Sequence, residues 1–280
     1  VVLIWGLNFV VIEAGLADIP PLLFLAIRFM VVCIPAVFFI KPPGIGFRRV
    51  VLIGAFLSLG QFAGLYISLA LGMPPGLASL LVQSQVVLTV LVAVVLLKER
   101  PSRKQIVGIV IGMVGLSVVV IGHSQVAPLL PLVVCLLGAL SWAIGNVLAR
   151  QAKAASGLSL TIWSGLVVPI PAFLLSLAVD GPVAIGEALA GFDWVAVLST
   201  LYTAGLASLV GYGIWNSLLA RYPTSAVVPF TLLVPIIGIL TAWLVKAELP
   251  TATETIGGAI MLGGLAAATL SRRTKPPIMD

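Results

Sequence analysis

Apolar residues occupy this chain in long unbroken runs, and polar residues gather in short clusters between them. Residues 49–71, 75–97, 105–122, 129–149, 158–179 and 224–245 each reach or approach the length of about 20 residues that carries a helix across hydrocarbon. A full pass predicts ten helices, at about 1–16, 21–40, 49–70, 75–97, 103–122, 128–150, 158–179, 194–219, 224–246 and 251–270. The breaks, at 18–21, 42–46, 72–76, 100–102, 124–128, 155–157, 180–193, 221–224 and 248–251, are rich in Gly, Pro and Ser, as connecting loops should be. Val and Ile are common enough to raise strands as an alternative. A membrane barrel would alternate polar and apolar residues over stretches of roughly 10. These runs are apolar on both parities, and within lipid only helices or closed barrels satisfy the backbone. Helices win. The first run is short and lacks an initiating methionine, which predicts that native residues precede it.

Composition sharpens this into a membrane protein. The chain is 61% hydrophobic and 9% charged, against roughly 25% charged in soluble domains, so no water-facing surface can be built from it. A cleaved leader accounts for one run at most. Cys33 and Cys135 lie within apolar runs without C-x-x-C spacing and read as small hydrophobes.

The net charge of +6 is informative only by loop, and it implies no nucleic-acid partner. With the N-terminus in the cytoplasm, inside segments hold Lys41, Arg48, Arg49, Lys98, Arg100, Arg103, Lys104, Arg150, Lys153, Arg221, Arg272, Arg273 and Lys275, which is 13 of 15 basic residues. Lys246 falls outside and Arg28 within a span. Basic loops stay cytoplasmic, so both termini are expected inside, with 271–280 as a cytoplasmic tail.

The chain also repeats itself. Shifted by 149 residues, Glu99, Pro101, Gly108, Ile111, Gly115 and Leu116 meet Glu248, Pro250, Gly257, Ile260, Gly264 and Leu265. Shifted by 136, Val31, Val32, Ile34, Pro35 and Ala36 meet Val167, Val168, Ile170, Pro171 and Ala172. Five helices therefore follow five, 1–122 and 128–270. Because five is odd, the second unit enters the membrane from the opposite face. That explains why the turn after Glu99 is basic while its copy after Glu248 is nearly neutral. Inverted repeats recur in secondary transporters that gate alternately around a midplane site.

Candidate chemistry sits in the polar minority. Trp5 and Asn8 are three apart on the first helix, and Trp142 and Asn146 four apart on the sixth, so each pair shares a face. The asparagines either glue helices together or face a cavity to which the inverted symmetry brings both pairs. Gln61, Tyr66 and Gln83 occupy helices 3 and 4, together with Ser58, Ser79 and Gln85; Gln83 lies deep enough to need a partner or a wet cavity. Tyr66 is either a cavity residue or an interfacial belt residue. Trp163 and Tyr202 are mid-depth candidates on helices 7 and 8, whereas Trp215, Asn216, Trp194 and Trp243 read as interfacial, and His123 as an outward loop residue.

Arg28 is the costliest residue to bury. It either clamps to Glu13, contacts a substrate carboxylate or snorkels to the outer face, and Glu13 is the candidate for any proton coupling. Pro35, Pro171, Pro229 and Pro235 interrupt helices where gating bends are expected.

Enzyme chemistry finds no purchase. There is no H-E-x-x-H or comparable metal set, no nucleophile with a base, and no phosphate loop to couple ATP. No charge ring or filter loop marks a channel.

Trp5-Gly6-Leu7-Asn8-Phe9 in helix 1, Arg28-Phe29 in helix 2 and Leu97-Lys98-Glu99-Arg100-Pro101 closing helix 4 resemble the drug/metabolite transporter superfamily, its EamA branch, and within it the YddG-type exporters of aromatic amino acids. Ser164 departs from the pattern, standing where the repeat would put a second Arg28. The resemblance implies ten transmembrane helices around a central cavity, with helices 5 and 10 buttressing. It implies a multi-pass protein of the bacterial inner membrane that exports aromatic and other neutral amino acids without cofactor, metal or ATP. A monomer is expected, with a dimer as the alternative. A carrier of drug-like cations or nucleotide sugars is the runner-up, and a channel stands behind it.

Overall fold

A computed structural model describes residues 1–71, 73, 81–122, 129–246 and 251–269, and every regular element among them is a helix. α1 is Val2–Gly15 and α2 is Pro21–Val37. α3 runs from Phe47–Ile53 through a π-helical stretch, Gly54–Gly60, into Gln61–Ala70. α4 is Gln85–Leu97, α5 Arg103–Gly122 and α6 Leu129–Ala152. α7 has two parts, Gly157–Gly165 and Pro169–Val179, and α8 is Gly181–Ala190. α9 runs from Trp194–Leu201 through π-helical Tyr202–Tyr212 into Gly213–Arg221. α10 comprises Thr224–Val227, a 3₁₀ turn Val228–Leu232, and Leu233–Lys246; α11 is Ala252–Thr269.

Four rods, Phe47–Ser68, Leu129–Ala152, Gly157–Val179 and Trp194–Arg221, are long and apolar enough to cross a membrane, and shorter apolar helices accompany them. Their outward faces stay greasy. Phe38, Leu129 and Leu244 are each more than three-quarters exposed, as suits a surface that meets lipid rather than water.

Small residues set the packing. A Cβ on Gly64 of α3 would lie 2.7 Å from the Gly138 Cα of α6, and one on Gly145 of α6 would lie 2.5 Å from the Leu57 Cα of α3. α5 and α11 close on each other in the same way, a Cβ on Gly115 meeting the Gly257 carbonyl at 2.6 Å. Lipid gives helices no hydrophobic reason to associate, so close backbone approach is what holds them. α1 packs on α9 and α10, α6 on α3 and α4, α2 on α7, and α5 on α11. Exchanging α1–α5 with α6, α7, α9, α10 and α11 maps this pairing onto itself.

Two features depart from the sequence reading. The segment 180–193, expected as loop, contains α8. Pro182 lies in its first turn, where a missing N–H costs nothing, and Ile185 and Ala188 bury against Ile19, Leu23 and Phe24. Pro35, expected to interrupt its helix, lies two residues from the end of α2, which runs through it.

The ends of four helices meet at Glu99. Its Oε1 accepts from the Thr224 N–H at 3.2 Å and from the Thr224 hydroxyl at 3.4 Å, and Oε2 accepts from the Ser225 N–H at 3.5 Å. It thereby caps α10. Arg150, at the end of α6, lies with Nε 3.6 Å from the same carboxylate and donates through Nη1 to the carbonyls of Leu219 and Ala220 at the end of α9.

Candidate functional site

The interruptions of α10 expose backbone that neighbouring side chains use. Pro235 lacks the N–H that would reach the Thr231 carbonyl four residues back, and Nε2 of Gln83 donates to that carbonyl at 2.7 Å. Pro229 likewise leaves the Ser225 carbonyl to Nε2 of Gln105, at 3.4 Å. Pro171 lies in the first turn of the second part of α7, which begins at Pro169 after the break at 166–168. The π-helical stretches act similarly. Ser208 donates to the Thr203 carbonyl five residues back, and Ser141 of α6 donates to the Phe56 carbonyl in the other stretch. Such stretches are rare and concentrate at functional sites.

These devices surround a cavity of about 80 Å³ between α1, α2, α3, α6, α9, α10 and the residues leading into α4. Its walls include Trp5, Asn8, Ile12, Arg28, Gln61, Phe62, Leu65, Val82, Gln83, Gln85, Trp142, Tyr212, Thr231 and Val234. A run of rings forms one side. Trp142 and Trp215 are 5.5 Å apart, Trp215 and Trp5 5.3 Å, Trp5 and Tyr212 5.0 Å, and Tyr212 meets Phe62 edge-on at 6.5 Å. The polar tips are tied: Trp5 Nε1 donates to the Ala207 carbonyl at 3.1 Å, and the Tyr212 hydroxyl to Gln61 Oε1 at 3.1 Å.

Arg28 is 1% exposed, so it does not snorkel. Nε donates to the Ser208 hydroxyl at 2.9 Å, and the guanidinium carbon lies 4.6 Å from the centre of the Phe62 ring and 5.5 Å from that of Phe29. Three buried polar atoms on cavity residues have no hydrogen-bond partner among the described residues: Arg28 Nη1, Asn8 Oδ1 and Gln85 Oε1. Leaving such an atom unsatisfied costs about 1–3 kcal/mol, more if charged. Five further such atoms, on Tyr66, Ser84, Asn146, Thr200 and Asn216, lie on residues off the cavity wall, whereas these three share one void.

The remaining sequence candidates lie elsewhere. Asn146 accepts from Trp215 Nε1 at 2.7 Å, beside Trp142 but off the cavity wall. Tyr66, 1% exposed, packs on Phe62 and is no belt residue. Trp163 donates to the Ile40 carbonyl at 2.9 Å and Tyr202 to that of Ile4 at 3.1 Å; both tie helices together away from the cavity. Trp215 and Asn216, read as interfacial, are each 2% exposed, Asn216 donating to the Thr161 hydroxyl at 2.9 Å. The Glu13 side chain, and with it the proposed pair with Arg28, lies outside the described residues, as do Ser79, His123 and Glu248. Phe62 and Ser208 were missed as candidate residues; only their depth in a span could have marked them.

A wider groove of about 630 Å³ runs between α7 and α9, lined by Leu158, Leu209, Val210, Ile214 and Leu218, with Ser217, Arg221 and Tyr222 as its polar members. It is open and almost wholly apolar, so we assign it to the lipid-facing surface.

The EamA-like transporter family matches residues 1–121 and again 129–270. Over 271 residues the chain is 38% identical to a probable amino-acid metabolite efflux pump of Escherichia coli K12, covering 95% of this chain and 91% of that protein. It is 29% identical over 209 residues to a probable terminal-alkyne amino-acid exporter of Streptantibioticus cattleyicolor, covering 72% and 65%. A solved crystal structure at 20% identity superposes with a TM-score of 0.80 over 96% of this chain and 93% of that one, and so shares the fold. With its apolar helices and these relatives, this is an integral, multi-pass protein of the bacterial inner membrane. Two matched segments that together span nearly its whole length make the chain a member of the EamA-like transporter family.

Proposed function

We propose that the chain is a secondary transporter that exports neutral amino acids and related amphiphilic metabolites, aromatic ones among them, by alternating access to the central cavity. The cavity carries this reading: among the described residues, aromatic faces, uncharged amides and a single guanidinium surround it. Such a lining holds an apolar side chain and a small polar end. It offers little to a multiply charged nucleotide sugar, which would need several buried cations. The names of the two relatives above point to the same solute class.

Two inverted five-helix repeats, with both termini inside, are part of this proposal. The offsets in the sequence support it, as do the two family matches and the self-mapping helix pairing. So does the basic character of the segments assigned to the cytoplasm. Gating would then rock one repeat against the other around the site, using the bends at 166–168 and 228–232.

Purified protein in liposomes tests the function. Labelled phenylalanine, threonine or methionine should move down its gradient without ATP. Gln83→Ala leaves the Thr231 carbonyl unpaired and should slow flux about tenfold, whereas Trp243→Ala, on a 43% exposed side chain, should leave it within about twofold. Movement of phosphorylated metabolites with no movement of amino acids would refute the assignment.

A further inference from the structure

We propose that the cavity reads a zwitterion, with Arg28 receiving the α-carboxylate and Asn8 and Gln85 receiving the α-ammonium of an amino acid. This rests on the cavity being the substrate site. The orphaned atoms carry the proposal, because they differ in kind. Arg28 Nη1 is a donor, while Asn8 Oδ1 and Gln85 Oε1 are acceptors, and all three residues wall the same void. A site for an organic cation would have acceptors and no guanidinium. A site for an anion would have further donors and no need of free acceptors. A solute with both charged groups on one carbon answers to both sets.

The guanidinium is already oriented. Ser208 holds Nε at 2.9 Å, and the Phe62 ring lies 4.6 Å from the guanidinium carbon, so Nη1 is the donor left for a ligand. A guanidinium held in this way meets a carboxylate with a fixed geometry that an ammonium point charge lacks. Ser208 is itself fixed by its bond to the Thr203 carbonyl, which the π-helical stretch of α9 supplies. The amide ends are fixed too: Nε2 of Gln83 is committed to the Thr231 carbonyl, and Nε2 of Gln85 lies 3.5 Å from Gln83 Oε1, which turns Gln85 Oε1 away from that partner. Beside these polar groups, the rings of Trp5, Phe62, Trp142 and Tyr212 on the same wall suit the side chain. At about 80 Å³ the cavity holds a few waters at most, so binding an amino acid requires the helices around it to part. Substrate and gate are thereby coupled.

The test uses proteoliposome counterflow of labelled phenylalanine, with unlabelled phenylalanine, phenethylamine (which lacks the carboxylate) or 3-phenylpropionate (which lacks the ammonium) as competitor. Wild-type protein should discriminate against each analogue by about 10- to 100-fold, the range expected when one charge-assisted hydrogen bond is lost. Arg28→Lys, checked for a monodisperse profile, should lose most of its discrimination against phenethylamine and keep that against 3-phenylpropionate. Asn8→Leu should do the reverse. The proposal is overturned if phenethylamine competes as well as phenylalanine in the wild type, or if folded Arg28→Lys discriminates unchanged. If the wild type moves no amino acid at all, the exporter assignment fails first and takes this inference with it. Movement of phenylalanine with indifference to its carboxylate sinks this inference alone.

Discussion

Replacing Glu99 by alanine removes one side chain, uncaps the start of α10 and frees Arg150 at the end of α6 from its carboxylate. The carboxylate caps α10 through the Thr224 and Ser225 amides and pairs with Arg150 at 3.6 Å. Loss of a side-chain cap costs about 1 kcal/mol. A negative charge at a helix start adds about 0.5 kcal/mol. The ion pair, whose side chains are 15% and 20% exposed, contributes up to about 0.5–1 kcal/mol. These terms overlap, so the whole is about 2 kcal/mol, or roughly a 30-fold change in a local opening equilibrium. Arg150 keeps the Leu219 and Ala220 carbonyls and is not stranded. Glu99→Gln retains an acceptor and loses the charge, which leaves a cost of about 1 kcal/mol and roughly a fivefold change. Hydrogen exchange at the Thr224 and Ser225 amides, measured in detergent or nanodiscs, reads this directly. Protection should fall about 30-fold in Glu99→Ala and about fivefold in Glu99→Gln. Protection in Glu99→Ala within about twofold of wild type would refute the capping argument. Equal losses in the two variants would show that the charge, and not the acceptor, does the holding.

Two further outcomes are open to measurement. In a background lacking Cys33 and Cys135, Glu187→Cys should react with an impermeant maleimide on intact cells while Lys275→Cys should not; the opposite pattern would overturn the orientation and the inverted repeat with it. Gly64→Leu must displace the α6 backbone at Gly138, whose Cα would lie 2.7 Å from the new Cβ, and should lower thermal stability in detergent by the equivalent of about 3 kcal/mol. Gly186→Ala, with nothing within 4 Å, should be neutral or slightly stabilising, and equal losses in the two would count against the packing argument.

Helical character and the positions of most helices were legible in the sequence, because run length alone distinguishes a hydrocarbon-spanning helix from a soluble one. α8 was not, since a ten-residue helix beginning Gly-Pro reads locally as a loop. Part of the cavity wall was legible by depth: Trp5, Asn8, Arg28, Gln61, Gln83 and Trp142 are deep polar or amphipathic residues in apolar runs, and all six wall the same candidate cavity. Direction was not legible. On a helix apolar all round, periodicity does not separate the lipid side from the inner side, so Trp163 and Tyr202 could not be told from Tyr212. The π-helical stretches were invisible for another reason. In the α3 stretch the Phe56 carbonyl is answered by Ser141, a side chain distant in sequence, and no local propensity encodes that.

The Gln83 bond to Thr231 has an evolutionary corollary. A main-chain carbonyl is supplied by any residue, so position 231 is free to vary as far as this bond is concerned. The constraint moves to position 235, which must withhold an N–H, and to position 83, which must provide one. An alanine at 235 would give α10 its own donor for that carbonyl and turn the Gln83 amide into a competitor. Positions 83 and 235, one from each half of the chain, should therefore change together among relatives while the residue that accepts the bond drifts. Anyone grafting α10 into another scaffold would need to carry a donor on the neighbouring helix along with the proline.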